Sequence, residues 1–421
     1  MSLTASELSF VLAHPSSLSD AASLPLTKKS MVADVAHLKE TYGDNARALV
    51  EVALARRSAV AKFSAARAEQ WIMDSDSVQQ ATPQVVAEFR AAHLLSLGVR
   101  DVVDVTCSVG TELAALAAPA AGALSAGAGA APAAQAAPAD PAARVSVGAG
   151  FQRIIGGDLD PQRVRMARHN VPDVPAIVMD ALRPALSASV LAPGTVVLAD
   201  PARRTSSGRV TKLSDLRPRL EDLAAVYSEQ GIDTAIKCAP GIDYTEFDGQ
   251  VDVVSVEGNV KEACLYTPGL SQCGRRAVML GVASGQQEII DDHMPEQDKV
   301  AEVGKYIVDP DGAVVRAGLV RHYAAKHGLW QLDERIAYLT GPAVPPGRRG
   351  FEVLEQVPFK HVRKALVARG IGAVEILVRG VDINPDEVRK KWKLKGSEEA
   401  SVVVTRIGDK AWAFICRAVR G

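Results

Sequence analysis

The sequence predicts an α/β protein on a doubly wound parallel sheet, with a helical region before it and an α+β unit after it. Three observations carry that prediction. Short apolar runs at residues 102–105, 153–158, 176–180 and 195–200 each contain or end on an aspartate, as buried strands do when their C-terminal ends open into polar loops. Helix starts follow the first two runs. Beyond residue 300, helical stripes alternate with further strand-like runs, as in a separate α+β unit.

Residues 1–97 read as helical and alanine-rich. Thr82 with Pro83 starts a helix, Val85, Phe89 and Ala92 share one face, and Gly98 ends it. The sheet region spans residues 98–299. Its first strand holds Val102, Val103 and Val105 and leads through D-V-T-C-S-V-G-T-E to a turn at Gly110. A low-complexity Ala/Pro/Gly insert at about 114–150 follows, with too few large apolar groups to offset the entropy of ordering.

The second strand, R-I-I-G-G-D, ends at Asp158, and Asp160 caps a helix that begins at Pro161. Residues 176–180 and 195–200 are the third and fourth strands. A helical stripe of Leu213, Leu216, Leu220, Leu223 and Val226 leads to a fifth strand at 234–238, and residues 251–265 and 276–282 read as antiparallel closing strands. The last region, 300–421, places Phe359, Val362 and Leu366 on one helix face ending at Gly370. Strand-like runs follow at 374–378, 402–405 and 412–416, and Asn384 with Pro385 starts one more helix.

The chemistry of the first turn narrows the ligand. A dinucleotide or triphosphate needs several glycines whose amides surround phosphate, and this turn has one. Asp104 and Glu112 would also repel a pyrophosphate. S-adenosylmethionine carries a sulfonium and an ammonium but no phosphate, so the acids become assets. Asp104 is expected at the ammonium, Asp158 at the ribose hydroxyls, and Asp180 with Ala181 at the adenine, with Cys107, Ser108, Gly110 and Glu112 completing the cofactor set. Asp200 and Pro201 end the fourth strand where a methyl acceptor would sit. They match the Asp–Pro start of the strand-end motif of amino-methyltransferases, whereas Ala202 and Arg203 replace its second Pro and its aromatic residue. The guanidinium of Arg203 or Arg204 offers a planar substitute for stacking or for phosphate binding.

With these motifs, the chain resembles the bacterial class I methyltransferases that carry a C-terminal THUMP-like domain, often actinobacterial. Q-A-T-P at 80–83, V-E-G-N-V-K-E-A at 256–263, D-P-D-G-A-V-V-R-A-G-L at 309–319 and the segment from about 350 to 421 carry the resemblance with the strand-end motifs. It implies S-adenosylmethionine as cofactor and, through the THUMP-like domain, an RNA substrate such as rRNA or tRNA. Arg389, Lys390, Lys391, Trp392 and Lys393 form the densest basic cluster and are expected to contact RNA, with Trp392 stacking on a base. Arg204 and Arg209 belong to a second basic stretch beside the acceptor site. Two other readings remain: the same cofactor with a protein or small-molecule acceptor, and a non-catalytic RNA-binding factor with a vestigial cofactor fold.

A formal net charge of −1 excludes a globally basic nucleic-acid binder, so an RNA surface must be local. Five cysteines without C-x-x-C spacing indicate neither a zinc site nor a disulfide framework, and no metal is expected. No apolar run approaches the roughly 18 residues of a membrane helix, so a cytoplasmic protein with no membrane partner is expected.

Overall fold

The computed structural model describes residues 2–118, 150–187, 189–201, 204–205, 208–209, 218–282 and 284–421. Most of the insert, together with Ala202, Arg203, Leu213, Leu216, Lys212 and Arg217, lies outside the described residues. The chain forms two compact units. One comprises Met1–Gln250, Glu262–Gln272 and Val282–Gly285; the other comprises Val251–Lys261, Cys273–Gly281 and Gln286–Gly421. The chain therefore changes unit repeatedly after residue 250, where the sequence suggested a single boundary near 300.

The first unit opens with seven helices: α1 (Ala5–Ala13), α2 (Pro15–Ser23), α3 (Met31–Tyr42), α4 (Ala46–Ala59), α5 (Ala65–Gln70), α6 (Ser75–Gln80) and α7 (Gln84–Ser96). Thr4 and Glu7 make a reciprocal capping box at α1, a device that contributes on the order of 1 kcal/mol. Glu7 also pairs with Arg47 of α4. In α7 the buried face holds Val86, Ala87, Phe89, Arg90, Ala91, His93 and Leu94, while Ala92 is exposed. The apolar stripe expected from Val85, Phe89 and Ala92 is thus rotated, because Arg90 finds buried carboxylate partners.

The parallel sheet follows: β1 (Asp101–Asp104), α8 (Thr111–Ala117), β2 (Arg153–Asp158), α9 (Pro161–Asn170), β3 (Ala176–Val178) and β4 (Thr195–Ala199). A small hairpin, β5 (Arg204–Thr205) and β6 (Gly208–Arg209), precedes α10 (Leu220–Ser228) and β7 (Asp233–Cys238). β1 lies between β2 and β4, with β3 beyond β2 and β7 beyond β4, all parallel. The chain therefore reverses its direction of winding at β1 and β4, and the crevice at their C-terminal ends is where such sheets bind ligands. The Glu262–Tyr266 part of β9 (Asn259–Tyr266) closes this sheet antiparallel to β7. One face packs Val109, Leu113, Val164 and Ala167 against Leu8, Leu49, Trp71 and Met73 of the helical region. The other packs Val102, Val196 and Ala235 against Ala87, Leu94 and Tyr266. With both faces covered, continuous apolar strands are the expected pattern.

The second unit includes β8 (Gln250–Val256) from Val251 onward, parallel to β10 (Arg275–Leu280), which in turn pairs antiparallel with β11 (Gln287–Asp291). The parallel β8–β10 pairing departs from the antiparallel arrangement expected. The chain continues through β12 (Tyr306–Val308), α11 (Gly312–Arg316), α12 (Val320–His327), β13 (Trp330–Asp333) and β14 (Ile336–Gly341). It ends with β15 (Arg349–Pro358), α13 (Val362–Ala368), β16 (Ile371–Arg379), α14 (Pro385–Trp392), β17 (Glu398–Ile407) and β18 (Lys410–Arg420). These strands form a seven-stranded sheet in the order β13-β14-β12-β15-β18-β17-β16. Val402, Val404, Ala413 and Ile415 pack with Val362, Leu366 and Trp392, whereas Val403, Phe414 and Cys416 pack with Ile307, Tyr338 and Phe351. Burial of both faces explains the unbroken valines of β17.

Candidate active site

The ends of β1, β2 and β4 are joined by hydrogen bonds. Asp104 accepts the Thr106 N–H (3.0 Å), and Cys107 N–H donates to the Gly157 carbonyl (2.8 Å). Asp158 accepts from the Ser108 N–H and the Asp160 N–H, both at 2.9 Å. Ser108 has φ 48 and Gly110 φ 94, two left-handed residues that fold the turn back on itself. A Cβ on Gly110 would also lie 3.0 Å from Val171 Cγ2. Thr106 Oγ1 accepts the Asp200 N–H (2.6 Å), tying the β1 turn to the β4 loop. From below, the Asn170 side chain bonds Ile72 and Val109, fastening the helical region to the same turn.

Charge is concentrated here. Arg90 Nη1 lies 2.5 Å from Glu112 Oε1, and Arg90 also pairs with Glu262. Lys237, 5% exposed, places Nζ 3.3 Å from Glu112 and 2.9 Å from Asp200 Oδ2. Burial opposes ionisation of Glu112, but Arg90 and Lys237 outweigh it and hold the carboxyl below its ordinary value. Asp104, 3% exposed, is pushed up to about 7 by burial and by the Glu112 charge, with Lys237 and the Thr106 amide opposing. Burial also raises Asp158, against the hydrogen bonds from Asp160 and Ser108. Asp104, Glu112, Asp200 and Glu262 thus gather around Arg90 and Lys237, while Arg163 of α9 pairs with Asp74 and its charge acts on Asp158. A cradle with surplus carboxylate suits a cation and repels phosphate.

The sequence-derived residues separate into groups. Asp104, Ser108, Gly110, Glu112, Asp158, Asp200 and Pro201 converge at the strand ends. The Cys107 thiol is buried in the core, and burial with the Asp104 and Asp158 charges holds it well above the ordinary thiol value. A buried thiol held protonated in this way is a poor nucleophile. Asp180 is exposed and accepts the Leu182 N–H (2.9 Å), while the Ala181 carbonyl accepts the Tyr227 hydroxyl (2.6 Å). Arg203 lies outside the described residues, and Arg204 and Arg209 are described as the backbone of the β5–β6 hairpin.

In the second unit, Arg389, Lys390, Lys391 and Lys393 are exposed. Asn384 caps α14, accepting the Asp386 and Glu387 N–H groups, and Arg389 pairs with Asp386 (2.6 Å). Trp392 corrects the expectation of base stacking. It is 7% exposed, packed near Phe359 in the core, and its carbonyl accepts from Arg363. Its apolar ring gains more from burial under the sheet than from solvent.

Arg90, Thr106, Asn170, Lys237 and Glu262 were not singled out from sequence. A lysine inside the apolar run T-A-I-K-C-A was a usable signal, since a buried strand admits a cation only with partners. Arg90 inside the α7 stripe carried a similar signal. Among the described residues, no group of three or more His, Cys, Asp or Glu could hold a metal ion, and no helix is long and apolar enough to cross a membrane.

Known proteins resemble the chain along its length. The THUMP domain-like family matches residues 348–418. Uncharacterized S-adenosylmethionine-dependent methyltransferases of two Mycobacterium tuberculosis strains, CDC 1551 and H37Rv, are each 43% identical over 403 residues, covering 91% of this chain and 100% of the relative. The crystal structure of a proposed methyltransferase from Porphyromonas gingivalis W83 matches with a TM-score of 0.64 at 18% identity, covering 93% of this chain and 98% of that one. That likeness extends the shared fold beyond the sheet region.

Proposed function

This chain belongs to the S-adenosylmethionine-dependent methyltransferases and ends in a THUMP-like domain, and from that premise we propose that its acceptor is RNA, methylated at a base nitrogen in the cytoplasm. The observation that carries the RNA reading is the THUMP-like match at 348–418, within which the exposed cations Arg389, Lys390, Lys391 and Lys393 lie.

S-adenosylmethionine, when bound, supplies an electrophilic methyl on a sulfonium, and the surplus carboxylates fit such a cation. In this reading Asp104 takes the ammonium directly or through water, and the backbone from Cys107 to Gly110 lies along the methionine part. Asp158 accepts from the ribose hydroxyls, for which a carboxylate still has lone pairs beyond those used by Ser108 and Asp160. Asp180 and Ala181 face the adenine, and Glu112 supports the negative potential from beneath. Asp200, with Pro201 behind it, accepts a hydrogen bond from the acceptor amine, aiming its lone pair; such catalysis is mostly positioning and electrostatics. Arg203, Arg204 and Arg209 hold the flipped base or its phosphate, while the α14 cations hold RNA phosphates.

The test combines calorimetric titration with transfer of labelled methyl to total RNA from cells lacking this gene. Asp158→Ala is expected to weaken cofactor binding by about tenfold or more, the size of one lost charge-assisted pair. Asp200→Ala is expected to keep cofactor binding and abolish transfer. Label in protein or small molecules, with none in RNA, would refute the RNA acceptor. RNA retention without turnover would indicate the non-catalytic factor.

A further inference from the structure

We propose that Lys237 is a positioning residue for methyl transfer, holding the Asp200 carboxylate ionised and in place while not itself touching the acceptor. This rests on reading the site as a methyl-transfer centre. In the parallel pairing of β4 with β7, Ala199 stands opposite Ile236, so the next residues, Asp200 and Lys237, sit side by side at the strand ends. Their separation is 2.9 Å.

The pair is the last link of a series of alternating charge: Glu262 on β9, Arg90 on α7, Glu112 on α8, Lys237 on β7, then Asp200. Glu262, Arg90, Glu112 and Lys237 are all buried, whereas the Asp200 side chain is 22% exposed. The series is closed at its inner end and reaches solvent only at Asp200. Apolar residues of similar volume commonly replace buried ion pairs without loss of stability, so packing alone gives no reason for this one. An ammonium fixed by two carboxylates is well suited to fix one of them in return. The ionised form matters chemically: a carboxylate accepts from an amine N–H, whereas a protonated carboxyl would offer a donor to the lone pair that must stay free. Asp104 on β1 also feels the Lys237 cation, which favours its ionised form against burial.

The experiment measures methyl transfer to RNA from about pH 5 to about pH 9, alongside cofactor titration, in the full chain and in Lys237→Met, Lys237→Arg and Asp200→Asn. Lys237→Met is expected to lower kcat by about tenfold or more and to move the acid limb of the profile to higher pH, with cofactor affinity within about threefold of the parent. Lys237→Arg is expected to restore the acid limb. An unchanged profile in Lys237→Met, or a rate loss that only follows lost cofactor binding, would overturn the proposal.

A double-mutant cycle in unfolding stability, pairing Lys237→Met with Asp200→Asn, needs no acceptor. Coupling that disappears at acid pH supports an ionised pair, and additivity refutes it. If the unaltered protein methylates no RNA, the acceptor assignment fails, and the cycle alone decides the Lys237–Asp200 link.

Discussion

Asp104 is the residue at which the fold and the proposed cofactor would meet. Its folded pKa of about 7 is above the ordinary carboxyl value, so the folded state binds this proton more tightly than the unfolded chain. That contribution is fully present below about pH 4 and is lost as pH rises through about 7. The ligand-free protein is therefore expected to lose stability relative to Asp104→Asn between about pH 4 and about pH 7, followed by thermal unfolding of both. A bound ammonium favours the ionised form. Cofactor titration near pH 6 is accordingly expected to release up to about one proton, seen as a dependence of the heat on buffer, and Asp104→Asn to release none. Equal buffer dependence in both proteins would exclude Asp104 as the ammonium partner. Gly110→Ala is expected to cost about 1–2 kcal/mol through its left-handed φ and the approach of Val171, and to weaken cofactor binding with it.

The acids at these strand ends were legible in sequence because strand-to-helix junctions have local signatures: an apolar run, an aspartate, a glycine or proline. Arg90, Lys237 and Glu262 were not, since nothing local says that residues 90, 112, 237 and 262 will meet. Their pairing is a property of strand order. The Trp392 misreading has a similar origin: a tryptophan among lysines looks exposed in sequence, yet a helix turns about 100° per residue, so one position can be buried while its neighbours point to solvent.

At the scale of the element, α14 separates charge from packing. Lys390→Glu with Lys391→Glu is expected to leave folding intact and to lower RNA affinity, with a salt dependence shallower by roughly one unit for each phosphate no longer neutralised. Trp392→Ala is expected to destabilise the unit by about 3–5 kcal/mol, and Trp392→Phe by much less, measured by denaturant unfolding. RNA binding that is lost in a folded Trp392→Phe would restore the stacking role. The parallel β16–β17 pair depends on a close backbone crossing. A Cβ on Gly396 would lie 1.7 Å from the Gly370 carbonyl oxygen, and one on Gly372 would lie 1.8 Å from that of Gly396. Backbone cannot swing aside as a side chain can, so both positions require glycine. The helices and strands of this region were legible, down to Asn384 as a cap, but the crossing was not, because it joins residues separated by a helix.

For the whole molecule, the repeated passage of the chain between units after residue 250 decides where it can be cut. A chain ending at residue 299 would keep Val251–Lys261 and Cys273–Gly281 while losing most of the unit to which they belong. Those strands keep one another as partners, but Glu288 of β11 loses both His327 and Arg348 and the strands lose the elements packed on them, so the shortened chain is expected to aggregate, checked by gel filtration. A monomeric fragment with parental cofactor affinity would refute this. The sequence suggested one break near 300, whereas membership of the compact units depends on packing between residues far apart in the chain.

The Thr106 hydroxyl joins the turn after β1 to the loop after β4 through the Asp200 amide. In the proposed reaction the cofactor side and the acceptor side would be joined by this one bond. Where occupancy of one side displaces that bond, the free energy is shared with the other, and thermodynamic reciprocity requires the same coupling factor in both directions. An acceptor fragment that sharpens cofactor affinity fivefold, for order-of-magnitude illustration about 1 kcal/mol, must itself bind about fivefold tighter to the loaded protein. Thr106→Ala would then uncouple the two partners without removing a group from either site, making the order in which they arrive a matter of indifference.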